Sequence, residues 1–501
     1  MDRTTGIPPG SPKRLRRDAR AAVLVLGVAL VLPAALPRAS GSQNDSSLPG
    51  IVFVQARRVM ASELTQRFPE GSRLVRFDPE GPSRSTVDLT PGFFAAADPQ
   101  ISPDATRMLF SGQMSAGARW QVWEMDTDGS NQLQVTHCPG DCLKPVFLPR
   151  GRIVYTVFSG TGLRQASALY VSDESGAGAH PITFGPGDFE AETVLQDGRI
   201  LVSAASPLTA NGNGSETRTL YTIHPDGTEL TVLRQDAHPG LTRSKAEELA
   251  DGTVLFVERR RVAGREVGGE LAWIPPAVLH NSLVTPGQSV YWSAHELNEG
   301  TLVVSKQRSD SLVSDAKFDL YTFDLAKKVV GPLIYRDPKF SSLEAVPLEQ
   351  RQTPRYYWSI LHPDSKTGRV ICLNAYLSAD APGGHLGRRI AHVRVLTLEQ
   401  GDGRVHVLGE APVETDGSFY IIVSADRPIR FELLDAKGTV IRAQRSWIWA
   451  RPGEDAGCLG CHEDKALVPE NHWPLALKRL DTPFPLGVSV GPQPAHLMSG
   501  K

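Results

Sequence analysis

An excess of charge of either sign is missing from this 501-residue sequence, which has 53 Lys and Arg against 55 Asp and Glu. The formal net charge of −2 argues against binding to nucleic acid or to an anionic membrane, because both require a basic surface. Long helical patterns are also few, whereas 46 Gly and 38 Pro supply many turns. The composition therefore predicts an all-β protein, and the length predicts two or three domains.

Hydrophobic runs that resemble membrane helices are absent after residue 40. Before it, a basic stretch, an apolar run over 21–36 and small residues at 39–41 follow one another. This order predicts a signal peptide at 1–40, with an uncleaved N-terminal anchor as the alternative. We expect the rest of the chain to be periplasmic or otherwise extracytoplasmic, and held at a membrane only if the anchor is retained.

Cysteines number only five, and two of them lie close together in the sequence. Cys138 and Cys142 could close a tight disulfide loop, which export permits. Cys372 lies in an apolar run and is predicted to be a buried thiol. Serine-nucleophile elbows, metalloprotease helices and phosphate loops are also missing, which argues against a hydrolytic site.

A repeat of about fifty residues fills the middle of the chain. Turns at 104–105, 150–151, 197–198, 251–252 and 299–300 recur at intervals of 46 to 54 residues, and each precedes a short apolar strand. Four short antiparallel strands per repeat are typical of a β-propeller blade. The sequence predicts a six-bladed β-propeller over 50–350, in which Leu343–Val346 complete the N-terminal blade and remove a free edge.

The inner strand of each blade is predicted to precede the repeated turn. This prediction places one polar residue per blade on an inner strand, where some could line the central channel: Asp98, Lys144, Glu192, Lys245, His295 and Glu344. Solvated channel walls are the simpler interpretation of such residues, and binding of an ion or a peptide is the alternative.

The pattern changes after Pro347 to alternating strands separated by turns. About seven strands within 100 residues predict a small β-sandwich over 355–450. One hairpin turn is predicted at Asp435–Gly438, between two of these strands. The remaining residues, 451–501, are predicted to form a C-terminal haem-binding loop.

Cys458, Cys461 and His462 form the Cys-x-x-Cys-His motif of c-type haem attachment. Two thiols three residues apart reach the two vinyl groups of the porphyrin, and the adjoining imidazole ligates the iron. A zinc site would need two more ligands at compact spacing, and a thioredoxin-like pair would need a βαβ context. The motif therefore predicts one covalent haem c, with His462 as its proximal ligand.

The distal iron ligand stays open. Downstream candidates are His472, His496 and Met498, and the sandwich side offers Tyr356, Tyr357 and His362. A distal Met or His would give a closed electron-transfer site, whereas Tyr, water or no ligand would leave room for a substrate. Trp447 and Trp449 are candidates for packing near the porphyrin or for ordinary sandwich core.

The order of these parts resembles the hydrazine synthase alpha-subunit-like family. The resemblance rests on segments 344–348, 416–419, 449–454 (Trp-Ala-Arg-Pro-Gly-Glu) and 457–463 around the haem motif. It implies a propeller, a sandwich and a haem on Cys458, Cys461 and His462. The family's alpha subunit has a second haem motif, whereas this sequence has no cysteine after Cys461.

Three functions follow from these features. The first is an exported monohaem c-type cytochrome that acts in electron transfer as a carrier or subunit, with a redox protein docking on the propeller or the haem edge. The second is a haem oxidoreductase acting on a small nitrogen compound or a peroxide. The third is a propeller module for protein binding with a structural haem.

Overall fold

The structure is a computed structural model, and it contains no α-helix among the residues it describes. The same residues include two short 3-10 helices, at Pro382–Gly384 and Leu475–Leu477. None of the described helices has the length and apolar character needed to cross a membrane. The described residues are 48–57, 59, 71–81, 85–159, 166–205, 217–233, 240–262, 265–276, 283–284, 289–310, 316–378, 381–398, 404–444, 446–460, 473–479, 481 and 483–488. The predicted signal at 1–40 lies outside them.

In the part of the chain that the structure describes, the propeller has twenty-four strands. In chain order they are β1 (Ile51–Ala56), β2 (Arg73–Phe77), β3 (Thr86–Asp88), β4 (Ala95–Ile101), β5 (Arg107–Gln113), β6 (Gln121–Asp126), β7 (Leu133–Gln134), β8 (Asp141–Leu148), β9 (Arg152–Ser159), β10 (Ala166–Asp173), β11 (His180–Pro181), β12 (Asp188–Val194), β13 (Ile200–Ala205), β14 (Arg218–Ile223), β15 (Thr231–Val232), β16 (Leu241–Glu248), β17 (Val254–Val262), β18 (Arg265–Ile274), β19 (Leu283–Val284), β20 (Tyr291–Asn298), β21 (Thr301–Gln307), β22 (Phe318–Asp324), β23 (Val329–Tyr335) and β24 (Ser341–Pro347).

These strands group into six antiparallel blades of four. Blade 1 is β24-β1-β2-β3, and blades 2 to 6 follow as β4–β7, β8–β11, β12–β15, β16–β19 and β20–β23. The strands predicted after the repeated turns are β5, β9, β13, β17 and β21. The all-β propeller and its six blades are therefore confirmed.

The ring closes by strand exchange between its two ends. Strand β24, near the end of the propeller sequence, pairs antiparallel with β1, and Ile51 faces Pro347 across the pair. Blade 1 therefore takes its inner strand from the far end of the sequence, as predicted for Leu343–Val346. Apolar side chains of blades 1, 2 and 6 share one core cluster that includes Val54, Phe110 and Phe318. Burial of these side chains holds the closed ring together.

Among the residues described after 366, eight strands form the sandwich as two sheets with an apolar core between them. In chain order they are β25 (Thr367–Cys372), β26 (His392–Leu398), β27 (Val405–Pro412), β28 (Phe419–Ser424), β29 (Ile429–Leu434), β30 (Val440–Ala443), β31 (Asp455–Cys458) and β32 (Phe484–Pro485). One sheet has the order β31-β25-β28-β32 and the other β27-β26-β29-β30. Strands β31 and β32 come from the segment after residue 450, so the haem-motif segment is part of this sheet.

Residues 348–366, here called the strap, connect the propeller to the sandwich without regular secondary structure. Backbone bonds fasten the strap to the propeller. Arg351 N–H donates to Pro103 O at 2.8 Å, and Arg355 N–H donates to Gln196 O at 3.0 Å. The strap therefore lies against the propeller face before the chain enters β25.

Candidate functional site

Cys458 is the last residue of β31 and is half-buried against the sandwich core. Two backbone bonds extend the pairing of this segment with the chain after β25. Leu373 N–H donates to Cys458 O at 2.9 Å, and Asn374 N–H donates to Leu459 O at 3.1 Å. The first cysteine of the haem motif is therefore held on a rigid sheet edge, while Cys461 and His462 lie outside the described residues.

Gly460 lies where the backbone comes closest to the loop after β25. A Cβ added there would be 2.8 Å from both the Cβ and the carbonyl O of Leu377. Such distances are shorter than real Cβ contacts, so any larger residue would push the motif segment away from the sandwich. Gly457, in contrast, has no heavy atom of the described residues within 4 Å of the equivalent position. Glycine is therefore required for packing at 460 but not at 457.

The candidates for the distal ligand divide into two groups. The downstream group, His472, His496 and Met498, lies outside the described residues. The strap carries the other three, Tyr356, Tyr357 and His362. The ring of Tyr357 stacks on the ring of His224, with 4.0 Å between the ring centroids. The ring of Tyr356 packs under the guanidinium of Arg150 at 4.1 Å. Both tyrosines therefore contact the propeller.

Trp449 joins the segment before the haem motif to the propeller. Its side chain is 7% exposed and packs edge-on against Phe184 and Phe189. Its indole N–H donates to Gly227 O at 2.9 Å. Trp449 therefore fills the contact between its own segment and blade 4 with the turn before that blade, here called the Trp449 seam. Trp447 contacts Arg430 of the sandwich, with 4.9 Å between the guanidinium carbon and the indole ring centroid.

Arg451 ties three parts of the molecule together. Its Nε donates to the carbonyl O of Asp226 at 2.7 Å, and its Nη1 donates to Asp426 Oδ1 at 2.6 Å. Its guanidinium also lies over the ring of Phe184, at 4.9 Å. Because the side chain is buried, these bonds form in a low-dielectric setting and fix the approach to β31.

Glu454 is the acid directly before β31. Burial raises its pKa to about 7, and the carboxylates of Asp226 and Glu229 add to this, although Arg451 opposes it. Its Oε2 accepts a hydrogen bond from the Arg451 N–H at 2.6 Å. A carboxyl group with a pKa near neutrality suits proton transfer. In the sequence, Glu454 directly follows Pro-Gly, and this segment contributes to the family resemblance. The sequence alone did not identify Glu454 as a group with a shifted pKa.

A second polar site lies in the central channel of the propeller, in a cavity of about 70 Å³. One residue from each inner strand lines this cavity, as predicted, and we call the set the channel ring. Its members are Asp98, Lys144, Glu192, Lys245, His295 and Glu344. Five of the six lie where the pairing register of their strand shifts. Such a shift interrupts the regular alternation of side chains between the two faces of a strand and so redirects the side chain.

Internal ion pairs stabilise the charges of the channel ring. Lys144 Nζ lies 2.5 Å from Glu190 Oε2 and 3.4 Å from Glu192 Oε1. Burial alone would lower the pKa of Lys144, but these two carboxylates outweigh it and raise the pKa. Lys245 pairs with Glu344, whose pKa is raised by burial. The ring is therefore a mixed-charge network that supplies its own counter-ions.

The strap extends over one end of this channel. A cavity of about 80 Å³ lies between Arg351 and Gln352 of the strap and the ends of the inner strands of blades 2 to 5. In the described part of the chain, no group of three or more His, Cys, Asp or Glu side chains is arranged to hold a metal ion. The described residues therefore offer two polar regions of functional interest: the sheet edge that carries Cys458, and the channel of the propeller.

Comparison with known proteins places the haem motif within a known domain. A family model described as "Hydrazine synthase alpha subunit middle domain" matches residues 387–463, which end one residue after His462. The curated hydrazine synthase subunit alpha of Kuenenia stuttgartiensis is 23% identical over 543 residues, covering 82% of this chain and 65% of the relative. This chain therefore spans less than two thirds of that relative.

The solved structure of one relative has the same fold. Kuenenia stuttgartiensis hydrazine synthase matches with a TM-score of 0.76 and 20% identity, over 86% of this chain and 71% of that chain. TolB from Acinetobacter baumannii matches more weakly, with a TM-score of 0.43 and 13% identity, over 61% and 67% of the two chains. The first match confirms that the propeller and the residues after it follow a known arrangement.

Proposed function

This chain belongs to the hydrazine synthase alpha-subunit-like family, and we propose that it is an exported redox subunit carrying one covalent haem c. Cys458 and Cys461 would hold the porphyrin through thioethers, and His462 would be the proximal iron ligand. When bound, the haem supplies one-electron redox chemistry.

The observation that carries this proposal is the position of Cys458. Its side chain is half-buried at the end of a sheet strand and lies inside the family-matched range. A cysteine sulfur at a partly open sheet edge is accessible for thioether formation, so the described half of the motif fits the group. Gly460 supports this fit, since its close packing on Leu377 sets the path towards Cys461.

Export is supported by two independent features. The basic and apolar pattern at 1–40 is typical of a signal peptide. Cys138 and Cys142 form a disulfide in the structure, a bond that persists in oxidising compartments and is rare in the cytosol. Attachment of c-type haem after translocation agrees with this location.

The role in electron transfer implies a redox protein partner at the haem edge. The protein's own part is to hold the haem rigidly, and three features do so: strand β31, the Trp449 seam and the Arg451 bonds. Rigid support keeps reorganisation small when the charge of the iron changes. No nucleic-acid partner is proposed, because the net charge is −2.

A visible absorption and EPR spectrum of protein produced with a cytochrome c maturation system tests this role. A low-spin, six-coordinate haem that does not bind carbon monoxide supports electron transfer. Substitution of His472, His496 or Met498 would then identify the distal ligand. A high-spin haem that binds carbon monoxide would reject the carrier role.

Catalysis on a small nitrogen compound or a peroxide is the second candidate function. It is favoured by Glu454, whose pKa of about 7 suits a proton donor or acceptor close in sequence to the haem motif. Turnover of hydroxylamine, nitric oxide or peroxide by the high-spin form, lost in Glu454→Gln with haem retained, would support it. Equal turnover by Glu454→Gln would remove Glu454 from that role.

A further inference from the structure

Two cysteines lie side by side at the haem-motif edge of the sandwich. Cys372 ends β25, Cys458 ends β31, and these two strands pair in parallel. Cys372 and Cys458 are direct Cα partners in the register of this pair. They are 86 residues apart in sequence, so their contact follows from the fold and not from the Cys-x-x-Cys-His spacing.

The side chains of the two cysteines point to the same face of the sheet. Three residues earlier in each strand, Arg369 and Asp455 are also register partners and form an ion pair on the exposed face, with Nε and Oδ1 2.6 Å apart. Side chains alternate between faces along a strand, so Cys372 and Cys458 share the opposite face. Consistently, Cys372 is 3% exposed in the sandwich core, and Cys458 packs against that core.

The backbone spacing is suitable for a disulfide. Neighbouring strands lie about 4.8 Å apart. That value falls within the Cα separations of about 4.4 to 6.8 Å that disulfides span. The pairing is secured at both ends of the strand pair: Arg369 N–H donates to Glu454 O at 2.8 Å, and Leu373 N–H donates to Cys458 O at 2.9 Å.

We propose that Cys372 is the disulfide partner of Cys458 in the exported chain before haem is attached. A disulfide oxidant R–S–S–R reacts first with the half-exposed Cys458 thiol, giving Cys458–S–S–R and one R–SH. The Cys372 thiol then attacks the Cys458 sulfur, forming Cys372–S–S–Cys458 and releasing the second R–SH. Two protons and two electrons leave the protein with the two R–SH molecules.

This disulfide has a direct consequence for haem attachment, and this consequence rests on the proposed function. Thioether formation requires a reduced Cys458, so the bond to Cys372 must be reduced before the haem can be attached. Until then, the bond protects the Cys458 sulfur from further oxidation and from pairing with other chains. Cys372 thereby makes attachment depend on a reductant in the export compartment.

Peptide mapping of the full chain tests the proposal. The protein is exported without a haem maturation system, trapped with an alkylating agent and digested with trypsin under non-reducing conditions. We expect a disulfide between the peptides 370–388 and 446–465 in most chains. The bond should persist in Cys461→Ser and disappear in Cys458→Ser and Cys372→Ala. The disulfide of Cys138 and Cys142 serves as the internal control for an oxidising compartment.

Three results would overturn the proposal: an alkylated Cys372 in every variant, a Cys458–Cys461 bond alone, or a Cys372 link that survives in Cys458→Ser. Haem loading is measured separately with the maturation system present, where Cys372→Ala should raise covalent haem about twofold or more at limiting reductant. Haem attachment without the disulfide would reject this inference and leave the proposed function standing. If the disulfide forms but no haem is attached, the proposed function is rejected and the Cys372–Cys458 disulfide stands.

Discussion

The indole N–H of Trp449 donates a hydrogen bond to the carbonyl oxygen of Gly227, 222 residues away in sequence, with 2.9 Å between Nε1 and O. Gly227 lies in the turn after β14 of blade 4, and Trp449 lies nine residues before Cys458. The segment that leads to the haem motif is therefore anchored in the propeller as well as in the sandwich.

Substitution of Trp449 should destabilise this junction. We expect Trp449→Ala to lower the free energy of unfolding by about 3 to 5 kcal/mol, because it leaves a cavity between Phe184 and Phe189. Trp449→Phe should cost about 1 to 2 kcal/mol, since it removes the bond to Gly227 and part of the ring. Urea unfolding followed by circular dichroism measures both values. Trp473→Phe, at a side chain that is 65% exposed, is the control and should change little; equal effects at both positions would contradict the anchoring role.

Glu454 should make stability depend on pH. Its pKa is raised to about 7 in the folded state, above the ordinary value in the unfolded chain. The folded state then holds the proton more tightly, so stability falls as pH rises from about 4.5 to about 7. In Glu454→Gln this loss is absent, and the stability of the variant relative to the parent should rise by roughly 2 to 3 kcal/mol between pH 5 and pH 8.

Urea unfolding of both proteins at the two pH values checks the Glu454 prediction. Glu410→Gln removes the same charge at a partly exposed site paired with Arg394 and serves as the control. A constant difference between Glu454→Gln and the parent at pH 5 and pH 8 would show that Glu454 ionises normally.

Gly460 should control haem attachment through its packing. Gly460→Ala places a Cβ 2.8 Å from Leu377 atoms, so the motif segment must move and covalent haem per chain should fall severalfold. Gly457→Ala meets no atom of the described part of the chain within 4 Å and should retain the haem content of the parent. Haem-stained gels normalised to protein measure the ratio. Full haem content in Gly460→Ala would mean that the sandwich does not position the motif.

Lys144 should be essential for the stability of the channel ring. Lys144→Met leaves the buried carboxylates of Glu190 and Glu192 without this cation, and we expect a loss of about 3 to 5 kcal/mol. Adding Glu190→Gln to Lys144→Met should recover part of the loss, because one uncompensated charge is removed. Thermal unfolding gives the order of the variants, with Lys437→Met in an exposed turn as the control. A neutral Lys144→Met would indicate that the channel charges are fully hydrated.

The propeller could be predicted in detail because its repeat is local. Turns such as Asp197–Gly198 and Asp251–Gly252 mark the same point in successive blades. A similar spacing, six residues from Glu192 to Gly198 and seven from Lys245 to Gly252, then places Glu192 and Lys245 at equivalent inner-strand positions. The sequence left a disulfide of Cys138 and Cys142 open as a possible tight loop, which the structure contains, and it predicted the buried position of Cys372. Each depends on near neighbours in sequence.

The contacts of Trp449, Arg451 and Cys372 could not be predicted in this way. Trp449 bonds to Gly227 over 222 residues, Arg451 bonds to Asp226 over 225 residues, and Cys372 pairs with Cys458 over 86 residues. No periodicity in the sequence links the two sides of these contacts. The raised pKa of Glu454 has the same origin, because it depends on burial and on acids of blade 4 brought close by folding. The tertiary structure determines these features. The sequence indicates only where Trp449, Arg451 and Glu454 lie, through the segment Trp-Ala-Arg-Pro-Gly-Glu.

The covalent mass of the purified protein tests the central claim most directly. Protein produced with a cytochrome c maturation system is denatured, freed of loosely bound haem and weighed intact by mass spectrometry. We expect the mass of the chain plus one haem, and the mass of the chain alone in the double variant Cys458→Ala/Cys461→Ala. A parent protein that carries no covalent haem under these conditions, or a double variant that keeps it, would contradict the account.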